Sequence, residues 1–201
     1  MLTRFRARFS RLVTGPAKAL LRIGAPPNAI TLASIIFASL ALAAAYSGFA
    51  WFVPMLLALS GYSDAVDGAV ARLSGRVSRF GAFLDSFCDR VAEALMVVSL
   101  VPLGMDPLIA YTLITTSILV SYARARAEAL GLHLEGVGLV ERAERIIVLI
   151  VLSILYAAGV NPSMQLANLG LADTLSLILA LLNSATAIQR VLYVRRALQQ
   201  P

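Results

Sequence analysis

The sequence predicts an all-α, polytopic membrane protein with six transmembrane helices, preceded by an amphipathic helix at the membrane surface. The first observation is composition, because 59% of the 201 residues are hydrophobic and only 14% are charged, with a mean hydropathy of +0.83. Soluble domains average about 45–50% apolar and about 25% charged residues. The second observation is a series of long apolar stretches, and the third is the placement of the positive charges.

Residues 1–24 form the first predicted element, a cytoplasmic juxtamembrane segment. Its basic residues alternate with Leu, Phe, Val and Ile in "MLTRFRARFSRLVTGPAKALLRIG". A helix with this pattern lies on an anionic membrane surface, and the pattern favours that arrangement over a disordered basic segment. The pI is near 10.1, but the positive charges flank apolar helices. We therefore expect membrane lipid, and no nucleic acid, as the partner of the basic surface.

Residues 25–201 form the second predicted unit, a single six-helix membrane domain. A spanning helix needs roughly 20 mostly apolar residues. Six stretches approach or exceed this length, at 28–47, 50–72, 80–102, 107–129, 140–159 and 172–196. The second, fourth and fifth stretches carry charges at one end only, so we expect these ends to project past the hydrocarbon.

The positive charges orient these six helices. All 17 Lys and Arg residues fall in the N-terminal segment, in or beside the second and fourth connections, and near the C-terminus. The first, third and fifth connections, near "AYSGFA", "VPLGMDP" and "AGVNPSMQ", contain none. Cytoplasmic loops carry the Lys and Arg excess of a membrane protein. We therefore expect a multi-pass protein of the cell membrane with both termini and its functional site on the cytoplasmic side.

Four aspartates lie at the cytoplasmic ends of the second and third helices, in "DAVDGAVARLSGRVSRFGAFLDSFCD" (64–89). Asp64 and Asp67 are three residues apart, and Asp85 and Asp89 are four apart, so each pair shares one helix face. A short connection packs the two helices antiparallel, which brings the four carboxylates to one cavity. Divalent cations remove their mutual repulsion, and oxygen ligands without Cys or several His favour Mg²⁺ or Mn²⁺.

Small and basic residues beside these aspartates indicate a substrate that carries phosphate. Gly68 lets a substrate approach the backbone closely, and Ala71 leaves room beside it. Arg72 can present a bidentate guanidinium to phosphate. Mg²⁺ usually binds one or two carboxylates together with substrate phosphates. The stretch therefore predicts metal-assisted chemistry on a phosphate or diphosphate.

The spacing of these residues resembles the signature of the CDP-alcohol phosphotransferase family. Its eight fixed positions are matched here by Asp64, Asp67, Gly68, Ala71, Arg72, Gly81, Asp85 and Asp89. The resemblance implies a six-helix membrane enzyme, a homodimer in most relatives, that displaces CMP from a CDP-linked lipid with an alcohol. It also implies a divalent metal, and we expect two ions among the four aspartates. Within that set, Asp89 is implied as the general base that removes the proton from the acceptor hydroxyl.

Two further segments resemble those of family members that use inositol phosphate as the acceptor, the phosphatidylinositol-phosphate and archaetidylinositol-phosphate synthases. They are "SYARARAEALG" (121–131) and "GLVERAERIIV" (138–148), although Ala143 stands where relatives often have proline. Together with a basic residue of the last helix, the resemblance implies an inositol-phosphate site formed by Arg124, Arg126, Arg145 and Arg190. The alternating charges place Glu141 in the same site as a support. Arg142 is interpreted as a support for this site.

The segment "PPNAIT" (26–31) resembles the part of the family that meets the cytidine end of the CDP-lipid. The CDP-lipid contacts that the resemblance implies are Pro26, Pro27, Asn28, Ala29, Thr31, Asp64, Gly68, Ala71, Arg72, Ser78 and Gly81. Ser78 stands where some relatives have threonine, which keeps the hydroxyl. Apolar helices accept diacylglycerol or archaeol tails equally well, so the sequence leaves CDP-diacylglycerol and CDP-archaeol both open.

Other functions compatible with the same residues are less well supported. Glycerol phosphate also requires basic residues, so it is the main alternative acceptor, whereas serine and free inositol fit the basic residues less well. A cation transporter also uses intramembrane aspartates, but we expect its acids near the bilayer middle and away from arginines. The sequence therefore favours a transferase of phospholipid biosynthesis that releases CMP over a transporter or a structural membrane subunit.

Overall fold

The computed structural model describes residues 13–75, 78–134, 136–159 and 170–199, which form seven α-helices and no strand. The first helix, α1, covers residues 13–22. The six longer helices are α2 (Pro27–Tyr46), α3 (Phe52–Ser74), α4 (Arg79–Val98), α5 (Pro107–Glu128), α6 (Arg142–Ala157) and α7 (Leu171–Gln199). The all-α prediction is confirmed, and the six long helices agree with the six predicted stretches to within four residues at each end.

The ends of these helices follow from local sequence. Pro27 and Pro107 each occupy the first turn of their helix, where a missing N–H costs nothing. Asp106 caps α5 by accepting the Leu108 N–H at 2.7 Å. Gly75 ends α3 with a left-handed φ of 64°, a conformation that glycine adopts without steric cost. These signals explain why the helix ends were predictable from the chain.

Three of the seven described helices are long and apolar enough to cross a membrane, namely α2, α5 and α7. The other long helices lack this property for two different reasons. Helices α3 and α4 carry the signature aspartates together with arginines, which lower their apolarity. Helix α6 has 16 residues, which is shorter than the roughly 20 residues that span a bilayer.

Close packing between helices depends on small residues. Helix α2 buries Ala38, Ala41 and Ala45 in the main apolar core, where their small side chains let neighbouring backbones approach. Gly61 of α3 faces α6, and a Cβ atom at this position would lie 2.8 Å from Cγ2 of Ile146. Helix α6 can therefore lie directly against α3, which brings the first turn of α6 close to the aspartates of α3.

Helix α1 packs on one end of the bundle. Its Val13 and Ala17 are buried in a second apolar cluster with Val66 and Val70 of α3. Basic residues of α1, such as Lys18, are exposed on the other face. Residues 13–22 are therefore amphipathic. Residues 1–12 of the predicted surface helix lie outside the described residues, so its place on the membrane stays a prediction.

Consecutive long helices alternate in direction, since Asn28 of α2 lies beside Gly81 of α4, and one cavity is lined by the first parts of α4 and α6 and the second halves of α5 and α7. The first residues of α2, α4 and α6 consequently meet the last residues of α3, α5 and α7 at one end of the bundle. The signature aspartates and the arginines near positions 124, 142 and 190 all lie toward this end. The connections at the opposite end, 47–51 and 99–106, contain no Lys or Arg.

Candidate active site

Three of the four signature aspartates form a compact carboxylate group. One oxygen each from Asp64, Asp67 and Asp85 lies within 4.8 Å of the others. Asp67 is only 4% exposed, and its Oδ2 is buried without a hydrogen-bond partner among the described residues. A buried, unpartnered carboxylate oxygen is costly unless it is paired or bound to a cation. The residues therefore fit a divalent cation, and their all-oxygen donor set suits Mg²⁺ or Mn²⁺.

Asp89 lies beside this carboxylate group and is joined to it by Arg142. Nη1 of Arg142 donates to Oδ2 of Asp64 at 2.6 Å, and Nη2 lies 2.8 Å from Oδ1 of Asp89. Arg90 lies 3.3 Å from the other carboxylate oxygen of Asp89. Asp89 itself is buried. One guanidinium from α6 thus ties together one carboxylate of α3 and one of α4.

The residues expected to meet the cytidine end begin α2 and lie against the other two helices. Thr31 is buried beside the Asp67 carboxylate. Asn28 lies next to Gly81, and a Cβ atom on Gly81 would be 3.4 Å from its Oδ1. Pro26 directly precedes α2, Pro27 begins it, and Ala29 is exposed. The structure thus brings the segment 26–31 to the same end as the carboxylates.

The first turn of α4 leaves little space for side chains. Ser78 caps this helix by accepting the Gly81 N–H at 2.9 Å. A Cβ atom at Gly81 would lie 3.0 Å from Oγ of Ser78, so a larger residue would disturb the cap. Glycine at position 81 thus keeps α2 and α4 close together.

The small residues of α3 lie beside Arg72. A Cβ atom at Gly68 would be 3.3 Å from Nη1 of Arg72, because the arginine side chain folds back along its helix. Ala71 is half-buried, and Arg72 is exposed. The side chain of Arg72 is therefore accessible at the end of α3, where Gly68 leaves room for its guanidinium.

A cavity of about 690 Å³ opens between α4, α5, α6 and α7. Asp85 and Asp89 of α4 line one part of it. The other part is lined by residues predicted for inositol phosphate: Arg124, Glu141, Arg145 and Arg190. The structure therefore joins the carboxylates and the predicted acceptor residues in one continuous space.

Arg145 and Arg190 are fixed by buried partners. Arg145 is 2% exposed and donates Nε and Nη2 to Oε1 and Oε2 of Glu93, at 2.6 and 3.1 Å. Arg190 is 5% exposed and donates Nε to the Val137 carbonyl at 3.0 Å and Nη1 to the Val120 carbonyl at 2.7 Å. These contacts hold both guanidinium groups at the cavity wall.

The remaining predicted acceptor residues differ in their surroundings. Arg124 lines the cavity, with its Nε 2.8 Å from Oε1 of Glu128. Glu141 caps α6 in a capping box with Glu144 and also lines the cavity. Arg126 is exposed and is not among the residues that line this cavity. The structure thus brings four of the five predicted residues together and leaves Arg126 apart.

The connection before α6 is anchored to α7. The hydroxyl of Thr186 accepts the N–H groups of Leu139 and Val140, at 3.1 and 3.3 Å. Gly138 has φ of 136°, and a Cβ atom there would overlap Cγ2 of Thr186. Glycine at this position therefore allows the connection to lie on α7, which sets where α6 begins.

Two residues of this site were underrated by sequence reasoning. Arg142 was interpreted only as a support, although it contacts two of the signature aspartates. Glu93 was not singled out, although it is a buried acid within a largely apolar chain. Ionisable residues in such settings are rare and need a partner. Its position four residues after Asp89, on the same helix face, was the available signal.

Residues 25–191 match the family described as CDP-alcohol phosphatidyltransferase. The chain belongs to this family. Archaetidylinositol phosphate synthase of Aeropyrum pernix is 40% identical over 195 residues, which cover 95% of this chain and 94% of the relative. Phosphatidylinositol phosphate synthase of Mycobacteroides abscessus is 36% identical over 200 residues, which cover 94% of this chain and 86% of the relative.

Solved structures of family members support the same architecture. Mycobacterium tuberculosis phosphatidylinositol phosphate synthase with CDP-DAG bound has a TM-score of 0.72 and 30% identity, covering 92% of this chain and 94% of that chain. The same enzyme in complex with manganese and citrate has a TM-score of 0.73 and 29% identity, and the match covers 91% of this chain and 88% of that chain. The family membership and the apolar helices identify this chain as a membrane enzyme, a CDP-alcohol phosphotransferase.

Proposed function

We propose that this chain transfers the phosphatidyl-type group of a CDP-linked lipid, CDP-archaeol or CDP-diacylglycerol, to inositol phosphate and releases CMP. The observation that carries the proposal is the cavity in which Asp85 and Asp89 face Arg124, Arg145 and Arg190. Carboxylates suit a metal-bound diphosphate, and fixed arginines suit a second phosphate. The relatives with the same acceptor in their names support this choice.

The carboxylates are proposed to hold two Mg²⁺ or Mn²⁺ ions through Asp64, Asp67, Asp85 and Asp89. When bound, such ions neutralise charge on the diphosphate and on the departing CMP. The buried, unpartnered Oδ2 of Asp67 supports this assignment. A family structure in complex with manganese supports it as well.

The CDP-lipid is proposed to bind where α2, α3 and α4 meet. Thr31 and Asn28 lie there beside Asp67 and Gly81. Arg72, exposed at the end of α3, can donate two parallel hydrogen bonds to a phosphate. The same region is shaped by Pro26, Pro27, Gly68, Ala71 and Ser78. The lipid tails are proposed to extend from it into the bilayer.

Asp89 is proposed as the general base of the transfer. It is buried, lines the cavity, and is oriented by Arg142. It removes the proton from a hydroxyl of inositol phosphate, and the hydroxyl oxygen forms a bond to the lipid-side phosphorus of the diphosphate. The bond from that phosphorus to the bridging oxygen breaks, and CMP departs with that oxygen.

Arg124, Arg145 and Arg190 are proposed to hold the phosphate of the acceptor, with Glu141 beside them at the cavity rim. Charge-assisted hydrogen bonds from arginine to phosphate are about twice as strong as neutral ones. Arg145 is held along one edge by Glu93, and Arg190 is held by the carbonyls of Val137 and Val120, so their orientation does not depend on the substrate. A neutral acceptor such as free inositol would not use these residues.

The membrane arrangement is proposed to comprise six transmembrane helices, α2 to α7, with both termini and the active site in the cytoplasm. The absence of Lys and Arg from the connections 47–51 and 99–106 supports this orientation. Asp85 and Asp89 of α4 and the arginines of α6 line the cavity, and Asp64 and Asp67 of α3 lie in the carboxylate group beside it. A homodimer is proposed from the family resemblance.

The test is CMP release by the purified protein in detergent, with CDP-archaeol or CDP-diacylglycerol as donor. We expect release that requires inositol phosphate and Mg²⁺ or Mn²⁺ and that stops on addition of a chelator. Release supported by glycerol phosphate but not by inositol phosphate would select the alternative acceptor. No release with either phosphate would refute the proposed transferase activity.

A further inference from the structure

We propose that Glu93 is a positioning residue that presents Arg145 to the phosphate of the acceptor. This inference rests on the proposed function, because it assigns a role within the same acceptor site. Glu93 and Arg145 are 4% and 2% exposed, and two hydrogen bonds of 2.6 and 3.1 Å join them. This is a bidentate pair in which the two planar groups lie edge to edge.

The pairing decides which N–H groups of Arg145 remain for a ligand. Glu93 takes the edge formed by Nε and Nη2. The end of the guanidinium, formed by Nη1 and the second N–H of Nη2, is the part that can serve the cavity that Arg145 lines. Glu93 therefore selects the face of Arg145 that an anion meets.

The same pairing connects the acceptor site to the reacting carboxylates. Glu93 lies one helical turn after Asp89 on α4, and Arg145 lies one turn after Arg142 on α6. The pairs Asp89–Arg142 and Glu93–Arg145 thus form two successive bridges between the same two helices. The distance between the group that takes the hydroxyl proton and the group that holds the acceptor phosphate is set by these two bridges.

A purely structural ion pair is the competing explanation. Replacing a buried ion pair by apolar residues is often neutral or stabilising, so burial of Glu93 does not itself indicate a role in stability. The two explanations differ in kinetics. A structural role affects the amount of folded enzyme and all substrates equally, whereas a positioning role raises the KM for the phosphate acceptor alone.

The experiment compares KM values for inositol phosphate and for the CDP-lipid in the variants E93Q and E93D. Glutamine keeps the shape of glutamate but removes its charge, and aspartate keeps the charge but retracts the carboxylate. We expect the KM for inositol phosphate to rise at least tenfold in E93Q and by a smaller factor in E93D. The CDP-lipid KM is expected to stay within twofold of wild type.

Two further variants control this comparison. D173N removes a buried carboxylate that accepts a hydrogen bond from Tyr156. Asp173 lies in the first turn of α7, at the end away from Arg190. This variant is expected to lower thermal stability without changing either KM. In an R145Q background, E93Q is expected to change the inositol phosphate KM by less than twofold, because Glu93 acts through Arg145.

An unchanged inositol phosphate KM in a folded E93Q protein would overturn the proposal, as would an equal rise in both KM values. If E93Q does not fold, the E93D variant is the test. A rise of at least threefold in its KM for inositol phosphate supports the proposal, and no rise in this KM overturns it. The proposed function is tested separately by the wild-type enzyme. If wild type uses glycerol phosphate instead, the same comparison is made with glycerol phosphate, because Arg145 is assigned to the phosphate.

Discussion

Arg142→Gln is expected to destabilise the protein strongly in the absence of divalent metal and much less in its presence. Arg142 joins Asp64 and Asp89 through contacts of 2.6 and 2.8 Å, and the three side chains are at most 23% exposed. Removing the guanidinium leaves two carboxylates, one on each helix, without this shared partner. It also removes a cation that would compete with metal for the same carboxylates.

The size of the effect follows from the burial of these contacts. Removing one partner of a buried ion pair lowers the free energy of unfolding by about 3–5 kcal/mol. The partial exposure of these side chains places the loss near the lower value. For a chain of about 200 residues, each kcal/mol shifts Tm by about 2–4 °C. A loss of about 3 kcal/mol therefore lowers Tm by about 6–12 °C in a chelator. Metal at about 100 times its Kd for the variant stabilises the variant by about 2.7 kcal/mol. It stabilises the wild type less, because there Arg142 already holds the carboxylates of Asp64 and Asp89.

The assay is thermal unfolding of the wild type and the variant in detergent, with a chelator and with saturating Mg²⁺. The gap in Tm between the two proteins should shrink by at least half in Mg²⁺. Arg195→Gln, an exposed arginine of α7, is the matched control and should leave Tm unchanged in both conditions. A gap of equal size with and without Mg²⁺ would show that Arg142 and metal do not share these carboxylates.

Three further predictions concern individual side chains. Asp89→Asn should lower kcat for CMP release by at least about 100-fold, the usual contribution of a general base, and near wild-type activity would reject that role. Arg124→Gln should raise the KM for inositol phosphate, whereas Arg126→Gln should leave it within twofold; equal effects would contradict the separation of these residues in the structure. In Gly138→Ala, the added Cβ atom should overlap the Thr186 side chain, which should lower Tm by an amount equivalent to about 1–3 kcal/mol and raise the KM for inositol phosphate. A Tm equal to that of the wild type would contradict this packing.

The sequence predicted the helices well because their ends carry local signals. Pro27, Pro107 and Gly75 mark helix ends by their own backbone preferences, without reference to distant parts of the chain. The exception is the end of α4, predicted four residues beyond Val98. The predicted stretch ran on to Pro102 because the turn at 99–104 is itself largely apolar.

The carboxylate group was predictable because it depends on spacing within two neighbouring helices. Asp64 and Asp67 share a face of α3, and the short connection places Asp85 opposite them. The partners of Arg142 and Glu93 were not predictable in this way. Arg142 lies 78 residues after its partner Asp64, and Arg145 lies 52 residues after its partner Glu93. The packing of α6 against α3 and α4 determines these contacts.

Arg126 shows the limit of carrying residues over by resemblance. Arg124 and Arg126 are two positions apart, and side chains at this spacing on a helix do not face the same way. The structure has only Arg124 in the cavity wall, while Arg126 is exposed. The contact with inositol phosphate that the resemblance implies for Arg126 is therefore tested by the kinetic comparison of the two variants.

The central claim is that one cavity combines metal-binding carboxylates with arginines that require a phosphate on the acceptor. The most direct measurement is the ratio of kcat/KM for inositol phosphate to that for free inositol, measured as CMP release by the wild-type enzyme. Hydrogen bonds to charged groups contribute about 1.5–3 kcal/mol each, so loss of two of them predicts a ratio of at least about 100. A ratio near one would contradict the assignment of Arg124, Arg145 and Arg190 to the acceptor phosphate.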